Sequence, residues 1–137
     1  MKNQLKVAVV GCGYWGPNLI RNLNSLDGCQ LKIVCDTSEQ RLTHIKKLYP
    51  DVETQKSFEE LLENSSIDAL AIATPVRFHH KMAKASLLAG KHTFIEKPMA
   101  ATSEQNKELV EIAQSKKLTL MVGHTFLYSE VVRKKKK

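Results

Sequence analysis

Apolar residues fall in short, nearly continuous runs along the chain, and segments with helical spacing separate these runs. Runs rich in β-branched residues predict strands that are buried on both faces, as in a parallel sheet. We predict five such strands, at residues 5–10, 31–35, 67–73, 92–95 and 118–122, and a weaker one at residues 51–54.

Between the strands, apolar side chains recur every three or four positions, which predicts amphipathic helices. The apolar faces are Trp15, Leu19, Ile20, Leu23 and Leu26 in the first helix, Leu42, Ile45 and Leu48 in the second, Phe58, Leu61 and Leu62 in the third, Met82, Ala83, Ser86 and Leu87 in the fourth, and Leu109, Ile112 and Ala113 in the fifth. Ser38 and Ser57 are predicted N-caps, Ser57 forming a capping box with Glu60, and Gly90 is a predicted C-cap. The alternation predicts an α/β fold, a Rossmann-type doubly wound parallel sheet that forms a single domain over residues 1–122.

The charge is concentrated at one end of the chain. The 137 residues carry a formal net charge of +7, and the five consecutive cations at residues 133–137 supply most of it. A terminal run of like charge is typical of a solvated tail, the alternative being an arm that binds phosphates. The few aromatic residues do not alternate with Arg or Lys as a stacking platform for bases requires, so nucleic acid is not an expected partner.

Composition and residue spacing argue against a membrane-spanning chain, a disulfide framework and a metal site. With 42% hydrophobic and 26% charged residues the chain is typical of a globular protein. No apolar stretch reaches the roughly 20 residues of a membrane span, so we expect a soluble, cytoplasmic protein. Cys12, Cys29 and Cys35 show no CxxC spacing, and the adjacent His79 and His80 point in different directions on a helix, so no disulfide framework and no metal site are expected.

A glycine-rich loop follows the first predicted strand and opens the first helix. It has the pattern GxGxxG and consists of Gly11, Cys12, Gly13, Tyr14, Trp15 and Gly16. Asp36 follows twenty residues after Gly16, at the end of the second strand. In this context the glycines permit a tight turn, close approach of a pyrophosphate, and close packing of the helix on the strand. The sequence therefore predicts a dinucleotide site.

Asp36 favours NAD over NADP, because a carboxylate accepts bonds from ribose hydroxyls and repels a 2′-phosphate. Thr37 and Arg41 are further predicted cofactor-binding residues. Arg41 weakens the preference for NAD slightly, because a guanidinium can serve a phosphate, although it lies more than a helical turn beyond Asp36. The alternatives are a glycine-rich turn without a ligand, and a flavin or S-adenosylmethionine site. Cys12 is expected to be a small filler of the loop, the alternative being a redox-sensitive thiol at a helix N-terminus.

Two further motifs end predicted strands. They are Ala73-Thr74-Pro75, followed by His79, and Glu96-Lys97-Pro98. Together with the glycine loop and Asp36 they give a sequence that resembles the Gfo/Idh/MocA oxidoreductases over about residues 5–133. The stretches GYWGPNLIRN and GHTFLY resemble most the branch that oxidises nucleotide-activated sugars, the nucleotide-sugar 3-dehydrogenases.

The resemblance implies a role for each motif. Ala73, Thr74 and Pro75 line the dinucleotide, His79 starts a helix near it, and Glu96 and Lys97 lie beside the nicotinamide. Lys97 is the implied active-site lysine, the alternative being an exposed lysine that ends a strand. His124 and Tyr128 are implied to face the substrate, although a simple loop histidine is an equal interpretation of His124.

The resemblance also implies a second α/β domain with a histidine general base, and the chain has no counterpart of either. Residues 123–137 are interpreted as the start of the connection to it, shortened by a frameshift, a premature stop or trimming. We therefore expect a chain that binds NAD with little turnover of a sugar or nucleotide sugar. The alternative is a non-catalytic NAD(H) sensor that acts with a partner chain. Exposure of Phe126, Leu127, Val131 and Val132 predicts self-association into a homo-oligomer.

Overall fold

A computed structural model describes residues 5–13, 16–25, 28–96 and 99–123. Six strands form one parallel sheet: β1 Leu5–Val10, β2 Cys29–Cys35, β3 Glu53–Gln55, β4 Ala69–Ile72, β5 His92–Glu96 and β6 Leu120–Gly123. The helices are α1 Gly16–Ser25, α2 Glu39–Leu48, α3 Phe58–Leu62, α4 His79–Leu88 and α5 Ser103–Lys116, and a 3₁₀ turn, Val76–Phe78, precedes α4.

The strand order is β3-β2-β1-β4-β5-β6, and every pair of neighbours is parallel. β1 therefore lies between β2 and β4, and the chain changes winding direction at this point. All carboxyl ends meet at one edge of the sheet, and open sheets of this kind bind ligands where the winding reverses. The order confirms the predicted Rossmann-type, doubly wound sheet.

Two apolar layers cover the two faces of the sheet. Alternation along β1 sends Val7 and Val9 to one layer and Ala8 and Val10 to the other. The first layer packs against α1 and α2, and the second against α3, α4 and α5. Burial of both faces explains the apolar runs of the central strands β1 and β4. The edge strand β3 is polar and largely exposed, and it covers Glu53–Gln55 where residues 51–54 were predicted. None of the helices among the described residues is long and apolar enough to cross a membrane.

The predicted helix ends are mostly confirmed. The Ser38 and Ser57 hydroxyls each accept the backbone N–H three residues later. The capping box is wrong in its second half, because the Ser57 N–H donates to Gln55 Oε1, at 3.1 Å, and not to Glu60. Gly90 follows α4 with a φ of +86°, and the N–H groups of residues 90 and 91 close a Schellman motif.

Some predicted positions were wrong. Leu48 is 57% exposed, since it lies six residues after Leu42 and has rotated off the buried face of α2. Strand β4 begins at Ala69 because Ile67 closes a turn, donating its N–H to the Asn64 carbonyl. β2 begins at Cys29 and β6 ends at Gly123, one residue beyond the predicted limit of the sheet.

Candidate functional site

The motif residues that the structure describes gather at the carboxyl edge of the sheet. Gly11 to Gly13 follow β1, Asp36 and Thr37 follow β2, Ala73 to Pro75 follow β4, and Glu96 ends β5. A cavity of about 660 Å³ opens between the segments that follow β1, β2 and β4. Its lining includes Gly11, Asp36, Thr37, Thr74, Pro75, Phe58, Phe78 and Met82. The edge thus offers one concave surface with a carboxylate and an apolar wall.

Gly11 ties the loop to β2 and leaves no room for a side chain beside the loop that follows β4. Its N–H donates to the Cys35 carbonyl at 2.7 Å, and its φ is +94°. A Cβ on Gly11 would lie 2.9 Å from Thr74 Cγ2 and 3.1 Å from the Ala73 carbonyl. Only glycine fits this left-handed conformation and this close approach of the β4 loop.

Asp36 holds the same loop from the β2 side. Its side chain is 7% exposed, and Oδ2 accepts the Cys12 N–H at 2.9 Å and the Cys12 thiol at 3.3 Å. Oδ1 accepts the Ser38 N–H at 2.8 Å, and Arg41 Nη1 lies 3.8 Å from Oδ2. Burial opposes ionisation, but these donors and the guanidinium together lower the pKa of Asp36. The carboxyl group is therefore a carboxylate at neutral pH.

The Cys12 thiol, in contrast to the Asp36 carboxyl group, is held in its protonated form. Burial, the hydrogen bond to Asp36 and the charge of that carboxylate raise the pKa of the thiol to about 12. The thiol therefore stays protonated and donates to Asp36. A protonated, 5% exposed thiol is a poor nucleophile, which favours the filler interpretation over the redox one.

His79 lies behind the Thr74 turn and is 2% exposed. Its Nε2 lies 2.8 Å from the Thr74 carbonyl oxygen, so this nitrogen carries the proton and donates. The Thr74 hydroxyl lies 3.5 Å from Met82 Sδ, on the same helix as His79. The first turns of α4 thus brace the turn that follows β4.

Glu96 ends β5 as a buried acid that is 6% exposed. Its Oε2 has no hydrogen-bond partner within the described part of the chain. Burial raises the pKa of Glu96 to about 7. The carboxyl group therefore changes its protonation state near neutral pH at the edge where the motifs meet.

Several predicted site residues lie outside the described residues: Tyr14, Trp15, Lys97, His124 and Tyr128. Of Gly16 the structure describes only that it begins α1. Residues 5–13, 16–25, 28–96 and 99–123 hold no group of three or more His, Cys, Asp or Glu side chains placed to bind a metal ion.

The apolar wall of the cavity was missed from the sequence. Phe58 was assigned to the core stripe of α3, and Phe78 lies between the Ala73-Thr74-Pro75 motif and His79 without a pattern of its own. One signal could have found Phe78. It lies in the segment after β4, one of the two strands beside β1, and ligands bind where the winding of the sheet reverses.

Comparison with known proteins shows which family shares this sequence. The sequence profile of the Gfo/Idh/MocA family, described as an oxidoreductase family with an NAD-binding Rossmann fold, matches residues 5–124. A glycosyl hydrolase family 109 protein of Shewanella amazonensis is 31% identical over 134 residues, which cover 91% of this chain and 30% of that protein.

Solved structures agree with the family match. The scyllo-inositol dehydrogenase of Lactobacillus casei, solved with bound NAD(H) and scyllo-inositol, superposes with a TM-score of 0.80 at 25% identity over 87% of this chain and 36% of its own. GenD2 from gentamicin A biosynthesis, solved in complex with NAD, has a TM-score of 0.84 at 25% identity over 90% of this chain and 35% of its own. The chain thus spans about a third of the length of these relatives. It belongs to the Gfo/Idh/MocA oxidoreductase family and contains an NAD-binding Rossmann domain of that family over residues 5–124.

Proposed function

We propose that the chain binds NAD in preference to NADP, and that it forms the dinucleotide half of an enzyme that transfers hydride between NAD and a secondary alcohol of a sugar or nucleotide sugar. The observation that carries the proposal is the ionised Asp36, which accepts the N–H of Cys12 in the glycine loop. This one carboxylate links the loop that approaches a pyrophosphate with the place of the adenosine ribose.

The adenosine half fits the large cavity. Phe58, Phe78 and Met82 supply an apolar wall for a purine, and Asp36 with Thr37 lies at its polar rim. Asp36 uses one lone pair of Oδ1 for Ser38, which leaves acceptor capacity for ribose hydroxyls. A 2′-phosphate at the same place meets a carboxylate, and this repulsion supports the preference for NAD.

The nicotinamide half is assigned from the family resemblance and from the sheet edge. From the glycine loop the ligand crosses the Ala73-Thr74-Pro75 turn, which His79 braces, toward the end of β5. Glu96 and Lys97 then flank the nicotinamide. NAD, when bound there, accepts or returns the hydride.

Lys97 is the proposed catalytic residue. An ammonium group beside the substrate oxygen stabilises the negative charge that develops when hydride leaves the carbon. His124 and Tyr128 are the proposed substrate contacts. The L. casei relative was solved with scyllo-inositol and another relative is named as a glycosyl hydrolase, so a polyol, a nucleotide sugar and a glycoside are the substrate classes to test.

Titration calorimetry tests the cofactor. The wild-type chain should bind NAD more tightly than NADP, and Asp36→Asn should weaken NAD roughly tenfold, as expected for loss of charged hydrogen bonds. Asp51→Asn, at an exposed position, is the matched control. A higher affinity of the wild-type chain for NADP than for NAD would overturn the assignment. So would an Asp36→Asn protein with the wild-type affinity for NAD.

Formation of NADH at 340 nm with the substrate panel tests the chemistry. We expect little turnover from this chain, and what there is should disappear in Lys97→Ala while NAD binding persists. Turnover that survives Lys97→Ala would remove Lys97 from the reaction. A chain that binds NADH but shows no turnover with any class would favour the sensor alternative.

A further inference from the structure

The Arg41 side chain lies across the glycine loop. A Cβ on Gly13 would lie 3.1 Å from Arg41 Nη1, 3.5 Å from Cζ and 3.7 Å from Nη2. The guanidinium group therefore lies on the side of Gly13 from which a Cβ would project. Arg41 reaches this place from the first turn of α2, where its N–H donates to the Ser38 hydroxyl.

This side of Gly13 is the one that matters for a ligand. The second glycine of GxGxxG is needed because a Cβ there would keep the backbone away from the pyrophosphate. The direction of the missing Cβ thus marks the approach of the phosphates, and the guanidinium lies in it. A bound pyrophosphate must either expel Arg41 or pair with it.

Pairing is favoured by how loosely Arg41 is held. The distance of 3.8 Å between Nη1 and Asp36 Oδ2 is too long for a hydrogen bond, and the Arg41 side chain is 58% exposed. Only Asp36 is buried in this pair and no hydrogen bond joins the two groups, so the exposed guanidinium moves at small cost. A cavity of about 600 Å³ between α1 and α2, lined by Pro17, Gln40, Arg41 and His44 among others, leaves room for this movement.

We propose that Arg41 is the counter-ion of the dinucleotide pyrophosphate, and that its guanidinium moves from its place over Gly13 to donate to the phosphate oxygens. This inference rests on the proposed function, because it assumes a dinucleotide on the glycine loop. Arg41 is then a binding residue shared by NAD and NADP. Its place beside Gly13 assigns it to the pyrophosphate and not to a 2′-phosphate.

The test compares ligands that differ in their phosphates. Adenosine lacks phosphate, ADP-ribose and NAD have the pyrophosphate, and NADP adds the 2′-phosphate. Their affinities are measured by calorimetry, or by ligand-observed NMR for weak binding, with the wild-type chain, Arg41→Ala and Lys47→Ala. Lys47→Ala removes the same charge from an exposed position on the same helix. Melting curves confirm that the variants are folded.

The proposal predicts that Arg41→Ala weakens ADP-ribose, NAD and NADP by a similar factor of about 10, because hydrogen bonds to charged groups are lost. Adenosine binding and all affinities of Lys47→Ala should be unchanged. A loss confined to NADP would assign Arg41 to a 2′-phosphate, and a gain for every ligand would make it only an obstruction; either result overturns the proposal. Failure of the wild-type chain to bind NAD would instead overturn the proposed function itself.

Discussion

The most specific energetic prediction concerns Glu96, the buried acid at the end of β5. Burial raises its pKa from an ordinary value of 4.5 to about 7, so the folded chain favours the neutral carboxyl group. Ionisation is therefore harder in the folded than in the unfolded chain. The stabilising contribution is present below the unfolded pKa and is lost as the pH rises through the folded pKa.

The magnitude follows from the two pKa values. Each unit of pKa difference corresponds to about 1.4 kcal/mol, so the wild-type chain loses about 3 kcal/mol between about pH 4.5 and about pH 8. Glu96→Gln keeps the shape and the neutral charge of the protonated acid and cannot ionise. Relative to the wild type, its free energy of unfolding should therefore rise by about 3 kcal/mol between the same two pH values.

Urea denaturation of both proteins at the two pH values measures this difference directly. Glu111→Gln, an exposed substitution on α5, serves as the matched control for the loss of one carboxylate. Equal differences between wild type and Glu96→Gln at both pH values would refute the reasoning, since they would mean that Glu96 ionises as easily in the folded as in the unfolded chain.

Three further predictions concern the residues around the site and the sheet. Gly11→Ala should cost about 2 kcal/mol or more, because Cβ meets the Thr74 side chain and φ is positive; urea denaturation measures it, and a neutral effect would contradict it. The Cys12 thiol should react with a disulfide reagent at about pH 8 only when the chain unfolds, and a rate like that of free cysteine would contradict its raised pKa. Lys91→Met should cost about 2 kcal/mol or more, because the buried Lys91 ammonium donates to two main-chain carbonyls at 2.9 Å; an unchanged melting temperature would contradict it.

Local patterns were enough to predict the framework. The apolar run of β1 and the glycine spacing are patterns of residues close in sequence, and such patterns can be read without knowing the packing. The structure confirms the position of β1 and the predicted parallel sheet. Ser38 and Ser57 are N-caps because the hydroxyl contacts an N–H three residues away, which is also a local relation.

Contacts between distant residues could not be predicted in this way. The bond from Cys12 to Asp36, the guanidinium of Arg41 over Gly13, and the buried state of Glu96 all depend on how loops from different strands pack. The capping box failed for a different, local reason: the Gln55 side chain, two residues before Ser57, accepts the Ser57 N–H in place of Glu60. Sequence spacing predicts which residues reach the carboxyl edge of the sheet, whereas packing determines their protonation and their hydrogen-bond partners.

Backbone amide NMR of the isotopically labelled chain during titration with NAD tests the central claim most directly. The account predicts saturable shifts that cluster at the carboxyl edge, at Gly11 to Gly13, at Asp36 to Ser38 and at Ala73 to Thr74, with β3-side residues of α2 such as Lys46 little affected. Shifts that cluster elsewhere, or no shifts at millimolar NAD, would contradict a dinucleotide site at this edge.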